Sequence, residues 1–241
     1  MMQRLANVEG KASMKVLCDT VKFVITAQSQ DVSLETATET TRGQLDSLIS
    51  DLADNEIVPK TEWQDPEYER LTEQTNTMRR GVRETSNVFV GFRATQSLAL
   101  TLAWNPEQLC KVLILAEKHN LAENISTTAF VANPAPHRDE ATRQAVANAK
   151  HYATVVCEAA GAKLGELVNV NPKNCWYEYD EEPELCVEDL LVCTHLEVDE
   201  EPMGGSEKEL DRTISIMTQH LLKSQPSTTY GDEVKLQFSI I

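Results

Sequence analysis

Residues 88–104 read Val-Phe-Val-Gly-Phe-Arg-Ala-Thr-Gln-Ser-Leu-Ala-Leu-Thr-Leu-Ala-Trp, and this stretch decides the fold. Val88, Val90, Phe92, Ala94, Leu98, Leu100, Leu102 and Trp104 share one parity, and only Gln96 interrupts them. Arg93, Thr95, Ser97 and Thr101 share the other. A period of two puts successive side chains on opposite faces of a strand, so one face here is made for a core. The stretch is about three times the usual strand length, which predicts a bend or bulge near Gln96.

Working outward, Asn105-Pro106-Glu107-Gln108 is a helix start, with Asn as cap, Pro in the first turn and Gln reaching back. Leu109, Val112, Leu113 and Ala116 form its apolar stripe, and Asn120 can end it in a left-handed conformation. A strand follows at about 124–131, then the turn Asn133-Pro134-Ala135-Pro136. On the N-terminal side, 12–28 reads as one strand in which Val21, Phe23, Ile25 and Ala27 alternate with more polar residues. Asp31 and Ser33 offer caps for a helix running to about Asn55, with Ala37, Leu45, Leu48, Ile49 and Leu52 on its buried side. A strand at about 57–63 comes next, and the polar stretch 64–87 reads as irregular strand and hairpin loop.

Beyond the turn, a helix from about Arg138 to Ala160 carries small residues at every fourth position: Ala141, Ala145, Ala149, Ala153 and Cys157. Such a row lets a helix approach a sheet or another helix closely and is a packing device. Asp139 and Glu140 favour its positive end and Gly161 closes it. Leu164–Val170 is a strand, Glu207–Lys223 has helical spacing, and Glu233–Ile241 is a last strand expected to pair with an early one. The order β-α-β-β-α-β over 12–134 is the split arrangement of ferredoxin-like units. The expectation is an α+β fold: ferredoxin-like halves, a long helix and C-terminal strands in a mostly antiparallel sheet. It would form a single domain over 1–241 with an acidic insertion at about 175–230.

The chain of 241 residues carries a net charge of −16 and is 41% hydrophobic. That charge repels phosphate backbones and anionic lipid, and Arg79, Arg80, Arg83 and Arg93 are too sparse to form a binding stripe. No stretch approaches the ~18 apolar residues of a membrane span, and the opening residues contain no apolar export signal. Cys18, Cys110, Cys157, Cys175, Cys186 and Cys193 form no CxxC pair, which suits free thiols in a reducing compartment. Cys175, Cys186 and Cys193 with His195 have zinc-ligand chemistry but no zinc-ligand spacing, so no metal site and no cofactor are assigned.

Several of these segments resemble the SIMPL (DUF541) family. Val8-Glu9-Gly10-Lys11 ahead of Asp19-Thr20, and Asn55-Glu56-Ile57 after the helix, are similar to its opening. The 88–104 strand is similar to its central strand. Arg143-Gln144-Ala145-Val146-Ala147-Asn148-Ala149-Lys150, continuing through Ala153, Ala160-Gly161 and Leu164-Gly165, is similar to its long helix and exit. Tyr152 stands where the family often has Ala, and Asn55 where it has Gly. The resemblance implies no catalytic residues. It implies either an intracellular member, of the kind that binds pelle-like, interleukin-receptor-associated kinases in NF-κB signalling, or a ring-forming protein of the bacterial branch. The cysteines and the acidic insertion favour the first, with a cytoplasmic location that can extend to the nucleus.

The expected function is therefore non-enzymatic: a protein-interaction and assembly module, acting on a protein partner, on itself, or on both. Residues 178–201 hold eleven acidic residues and no Lys or Arg, which suits electrostatic steering. Trp176, Tyr177 and Tyr179 beside that run are candidate anchors, with Glu181 and Glu182 as charged neighbours. The competing reading has the aromatics capping the core beside a solvated loop. An enzyme would need a poised His or carboxylate, but His119, His137, His151, His195 and His220 are scattered, and no GxSxG, HExxH, P-loop or GxGxxG is present. His137 near a helix N-terminus allows an anion site or a partly exposed cap. Small-ligand or divalent-cation binding is the remaining alternative, although 178–201 lacks the EF-hand spacing and its glycine.

Overall fold

The computed structural model describes residues 4–79, 82–121, 124–179, 207–223 and 225–241, with side chains described outside 76–86, 172–179 and 207–212. The fold is α+β, with four helices and two antiparallel sheets among the described residues. The chain divides into two compact units. One comprises Met1–Asp19, Ala129–Pro183 and Gln225–Ile241; the other comprises Thr20–Thr128 and Glu184–Ser224.

The first unit is a three-stranded sheet ordered β1-β8-β7, with β1 at Leu5–Leu17, β8 at Ser227–Ile240 and β7 at Leu164–Tyr179. The last strand does pair with an early one: β8 runs antiparallel to β1 from Leu5↔Ser239 to Leu17↔Ser227. Helix α3, Ala135–Ala159, lies on this sheet through Ala141, Ala145, Ala149, Ala153 and Cys157, all buried. Ala145, Ala149 and Ala153 form one core with Val234, Leu236 and Phe238. Opposite the small-residue row stands Gly10 of β1, where an added Cβ would lie 2.6 Å from Ala149 Cβ and 2.8 Å from Ala149 N. Asn148 Nδ2 donates to Lys11 O at 3.0 Å and fixes the helix along that strand. Helix α3 starts three residues before the expected Arg138, because prolines at 134 and 136 hold helix-compatible φ. Its first turn contains no acidic residue, so Asp139 and Glu140 sit too far in to cap it. Gly161 closes it at φ 72°.

The second unit has strand order β3-β5-β2-β6, with β4 also paired to β5. These are β2 Thr20–Asp31, β3 Lys60–Trp63, β4 Glu67–Arg79, β5 Val82–Ala103 and β6 Ile125–Phe130. Helix α1, Leu34–Asp54, packs on β2 and β5. Helix α2, Pro106–Lys118, packs against α4, Glu207–Lys223. The caps act as their residue types dictate. Asn105 Oδ1 accepts from the Glu107 and Gln108 N–H groups at 3.1 and 3.4 Å, and Asn120 takes φ 57°. On α1 the buried row runs Ala37, Thr41, Leu45, Leu48 and Leu52, so Thr41 takes a core position and Ile49 is only half-buried. Thr41 fits there because its hydroxyl donates to Ala37 O at 2.9 Å and meets Ser29 Oγ at 2.9 Å.

Three expectations need correction. Residues 12–28 are not one strand: the chain breaks at Cys18-Asp19, β1 enters one sheet and β2 the other. The stretch 64–87 is a hairpin, as expected, but a more regular one: β4 and the start of β5 pair from Arg79↔Val82 onward with a register shift only between Leu71 and Thr72. The irregularity in β5 is not at Gln96, which is buried and in register with Ala27. It falls at Val90, which the ladder skips between Leu71↔Gly91 and Thr72↔Phe89.

Candidate interaction surfaces

The face of the three-stranded sheet opposite α3 carries polar residues in cross-strand rows. Asn7, Gln237 and Asn169 stand side by side, followed by Glu9, Lys235 and Asn171. Gln237 Nε2 donates to Asn7 Oδ1 at 2.9 Å, and Lys11 Nζ lies 3.1 Å from the buried Glu233 carboxylate. Asn7, Glu9, Asn169, Asn171, Lys235 and Gln237, with Val8 and Leu236, line an open depression of about 340 Å³. Its lining is amides, one carboxylate, one ammonium and aliphatic carbon, with no imidazole, thiol or hydroxyl. Its polar groups can hydrogen-bond, and Lys235 Nζ lies 4.0 Å from Glu9 Oε2 within it.

The β4–β5 hairpin forms the second surface. β2 stays in register with β5 only as far as Asp31↔Phe92. From Gly91 back to Val82, β5 pairs with β4 alone among the described residues, as a two-stranded arm. Arg93 Nη1 meets Glu69 Oε2 at 2.8 Å near its base. Phe89 packs edge-on to Phe92 at 5.1 Å and lies under the Arg70 guanidinium at 5.2 Å. Val88, Phe89 and Val90 are 48%, 37% and 49% exposed. The alternation that buries Ala94, Leu98, Leu100 and Leu102 therefore does not extend core burial to Val88 and Val90.

The other candidate residues do not converge. His137, in the first turn of α3, stacks on the buried Tyr230 ring at 6.1 Å, and the Arg138 guanidinium lies over the same ring at 5.8 Å. Beside them Thr142 Oγ1 donates to Asp232 Oδ2 at 2.6 Å. This is a packed helix–strand contact, and its carboxylate opposes an anion site. His119 belongs to the other unit, where its Nε2 and Lys118 Nζ meet Asp51 Oδ2 at 3.0 and 2.6 Å. Those hydrogen bonds, Lys118 first, hold the Asp51 carboxyl below its ordinary value of 3.8. A depressed carboxyl contributes stability that is present above the ordinary pKa and lost as pH falls through the folded one. Asp51→Asn should therefore flatten the acid limb of stability below about pH 4 and leave the limb above pH 5 parallel to wild type, as urea titrations at several pH values would show.

Trp176, Tyr177 and Tyr179 are the last residues of β7, where Tyr177 stands opposite Gly231 and Tyr179 opposite Thr229. Their side chains, together with Glu181 and Glu182, lie outside the described residues, as do the Cys175 side chain, Cys186, Cys193 and His195. Among the described residues no three His, Cys, Asp or Glu side chains are grouped to hold a metal ion, and no helix is long and apolar enough to cross a membrane. Cys18, Cys110 and Cys157 are buried and form no disulfide. Burial pushes the Cys110 thiol up to about 11, only partly offset by Thr218, whose Oγ1 is 3.8 Å from its Sγ. These three thiols should stay unlabelled by a disulfide reagent at pH 8 until denaturant is added, read as slow thiol release by absorbance.

Residues 6–203 match the SIMPL family, described as a protein of unknown function (DUF541). The chain belongs to the SIMPL family. Among curated proteins, none matches it. The match spans both units and every strand but one. β8, the central strand of the three-stranded sheet, lies at 227–240 and so beyond the matched residues of this SIMPL protein.

Proposed function

We propose that this SIMPL protein is a non-enzymatic interaction and assembly module, working through its sheet surfaces. The observation that carries this reading is the β4–β5 arm. A lone two-stranded ribbon is at best marginally stable in water, and this one exposes three consecutive apolar side chains. The acidic balance of the chain then supplies specificity by repelling wrong partners. The order β3-β5-β2-β6, with α1 and α2 between its strands, supports a ferredoxin-like reading of that unit. Buried thiols at Cys18, Cys110 and Cys157 suit a reducing compartment. They support a place among the cytoplasmic, kinase-associated members over the ring-forming bacterial ones. Light scattering of the full chain over a concentration series, with cross-linking in extract, tests the module: oligomers or a saturable complex are expected. A strict monomer that captures nothing in extract would rule it out.

A further inference from the structure

Resting on that reading, we infer that the open edge of β5 in the arm pairs antiparallel with the same edge of a second copy, joining two arms into one four-stranded ribbon. Three observations carry this. The first is geometric. Beside Gly91 the turn after β2 passes so close that an added Cβ would lie 2.7 Å from Asp31 O. This marks where β2 leaves β5. On the far side of that point the N–H and C=O groups of β5 that face away from β4 have no strand against them among the described residues.

The second is the contrast between the two edges of the arm. Proteins keep free strand edges from pairing by placing charges or prolines on them. In the arm, whose β4 half is Leu71–Arg79, the β4 edge carries Glu73 and Arg79, while the charges of the β5 half, Arg83 and Glu84, are confined to the tip. The β5 edge over Thr85-Ser86-Asn87-Val88-Phe89-Val90-Gly91 has no charge and no proline, and it includes two valines and a phenylalanine. The bulge at Val90 offsets the arm from the end of β2 but leaves 82–89 in unbroken register with β4.

The third is electrostatic and selects the occupant. Two copies of a chain with net charge −16 repel each other wherever their acidic surfaces approach. Residues 67–93 escape this, because five arginines there balance four glutamates. An antiparallel pairing of 85–91 with itself, Val88 opposite Val88, sets uncharged residues opposite uncharged ones along the whole segment. An acidic or basic foreign peptide would find no counter-charge on that edge.

The test uses the full chain in sedimentation velocity, with Val88→Lys/Val90→Lys as the variant and circular dichroism to confirm its fold. Both valines are about half exposed, so the folded monomer tolerates the change, whereas four lysines would face one another across the pairing. Wild type should form dimers, and the variant should associate at least about tenfold more weakly. Amide exchange of wild type at low and high concentration gives a readout that needs no variant: outward-facing amides of 85–91 should gain protection as concentration rises. Dimers that persist in the folded variant, with no concentration-dependent protection at 85–91, overturn this edge but leave the assembly reading standing. A wild-type monomer at every concentration overturns the edge and removes self-association from that reading.

Discussion

Gly10→Val is expected to destabilise the three-stranded sheet and its helix by about 3 kcal/mol or more, the upper range for overpacking a filled core. The cause is contact with main chain. A Cβ at Gly10 would meet Ala145 O, Ala149 N and Ala149 Cβ, and two of these are backbone atoms of α3 that no rotamer change can move. The helix would have to lift off β1, separating Ala145, Ala149 and Ala153 from Val234, Leu236 and Phe238. Interiors are packed too tightly to absorb such a displacement locally. For a chain of this size the cost corresponds to a fall in Tm of roughly 6–12 °C, measured by circular dichroism. Gly43→Ala is the control. Gly43 is an exposed interior residue of α1 with nothing within 4 Å of its added Cβ, so alanine there should raise stability slightly. A Gly10→Val protein that melts with wild type would mean the small-residue row does not set the helix–sheet spacing.

The packing device itself was legible in the sequence, but only one half of it. Alanines at a spacing of four announce a close approach without naming the surface approached, and the lone Gly10 carried no period to mark it as the complement. The break between β1 and β2 left a subtler trace. Val8, Gly10, Ala12, Met14 and Val16 share even parity, whereas Val21, Phe23, Ile25 and Ala27 share odd parity. A change of parity means that the side chains change faces, and here it marks passage from one sheet to the other at Cys18-Asp19. The start of β8 was hidden for a different reason: Thr228, Tyr230 and Asp232 are buried, so the apolar pattern begins only at Val234. At the arm the alternation misled: Val88 and Val90 continue the parity of the core positions but are about half exposed. Of the interaction site, the apolar content of 88–90 was visible; its exposure was not, since that depends on where β2 ends.

Phe23→Ala should cost about 3–5 kcal/mol, the range for emptying a fully buried aromatic site. Phe23 is 2% exposed, lies opposite Leu100, and sits on β2 between β5 and β6. Comparing it with Gly10→Val also asks how the chain unfolds, because the two substitutions fall in different units. The chain passes from one unit to the other four times, between residues 19 and 20, 128 and 129, 183 and 184, and 224 and 225. The first unit draws its sheet from three separated segments, so β1, β7 and β8 can meet only after long loops close, and the second unit is what those loops contain. One cooperative transition is therefore the expected behaviour, with both variants lowering it together. Calorimetry decides the matter: if Phe23→Ala lowers one of two resolved peaks and Gly10→Val the other, the units unfold independently and the single-domain expectation fails.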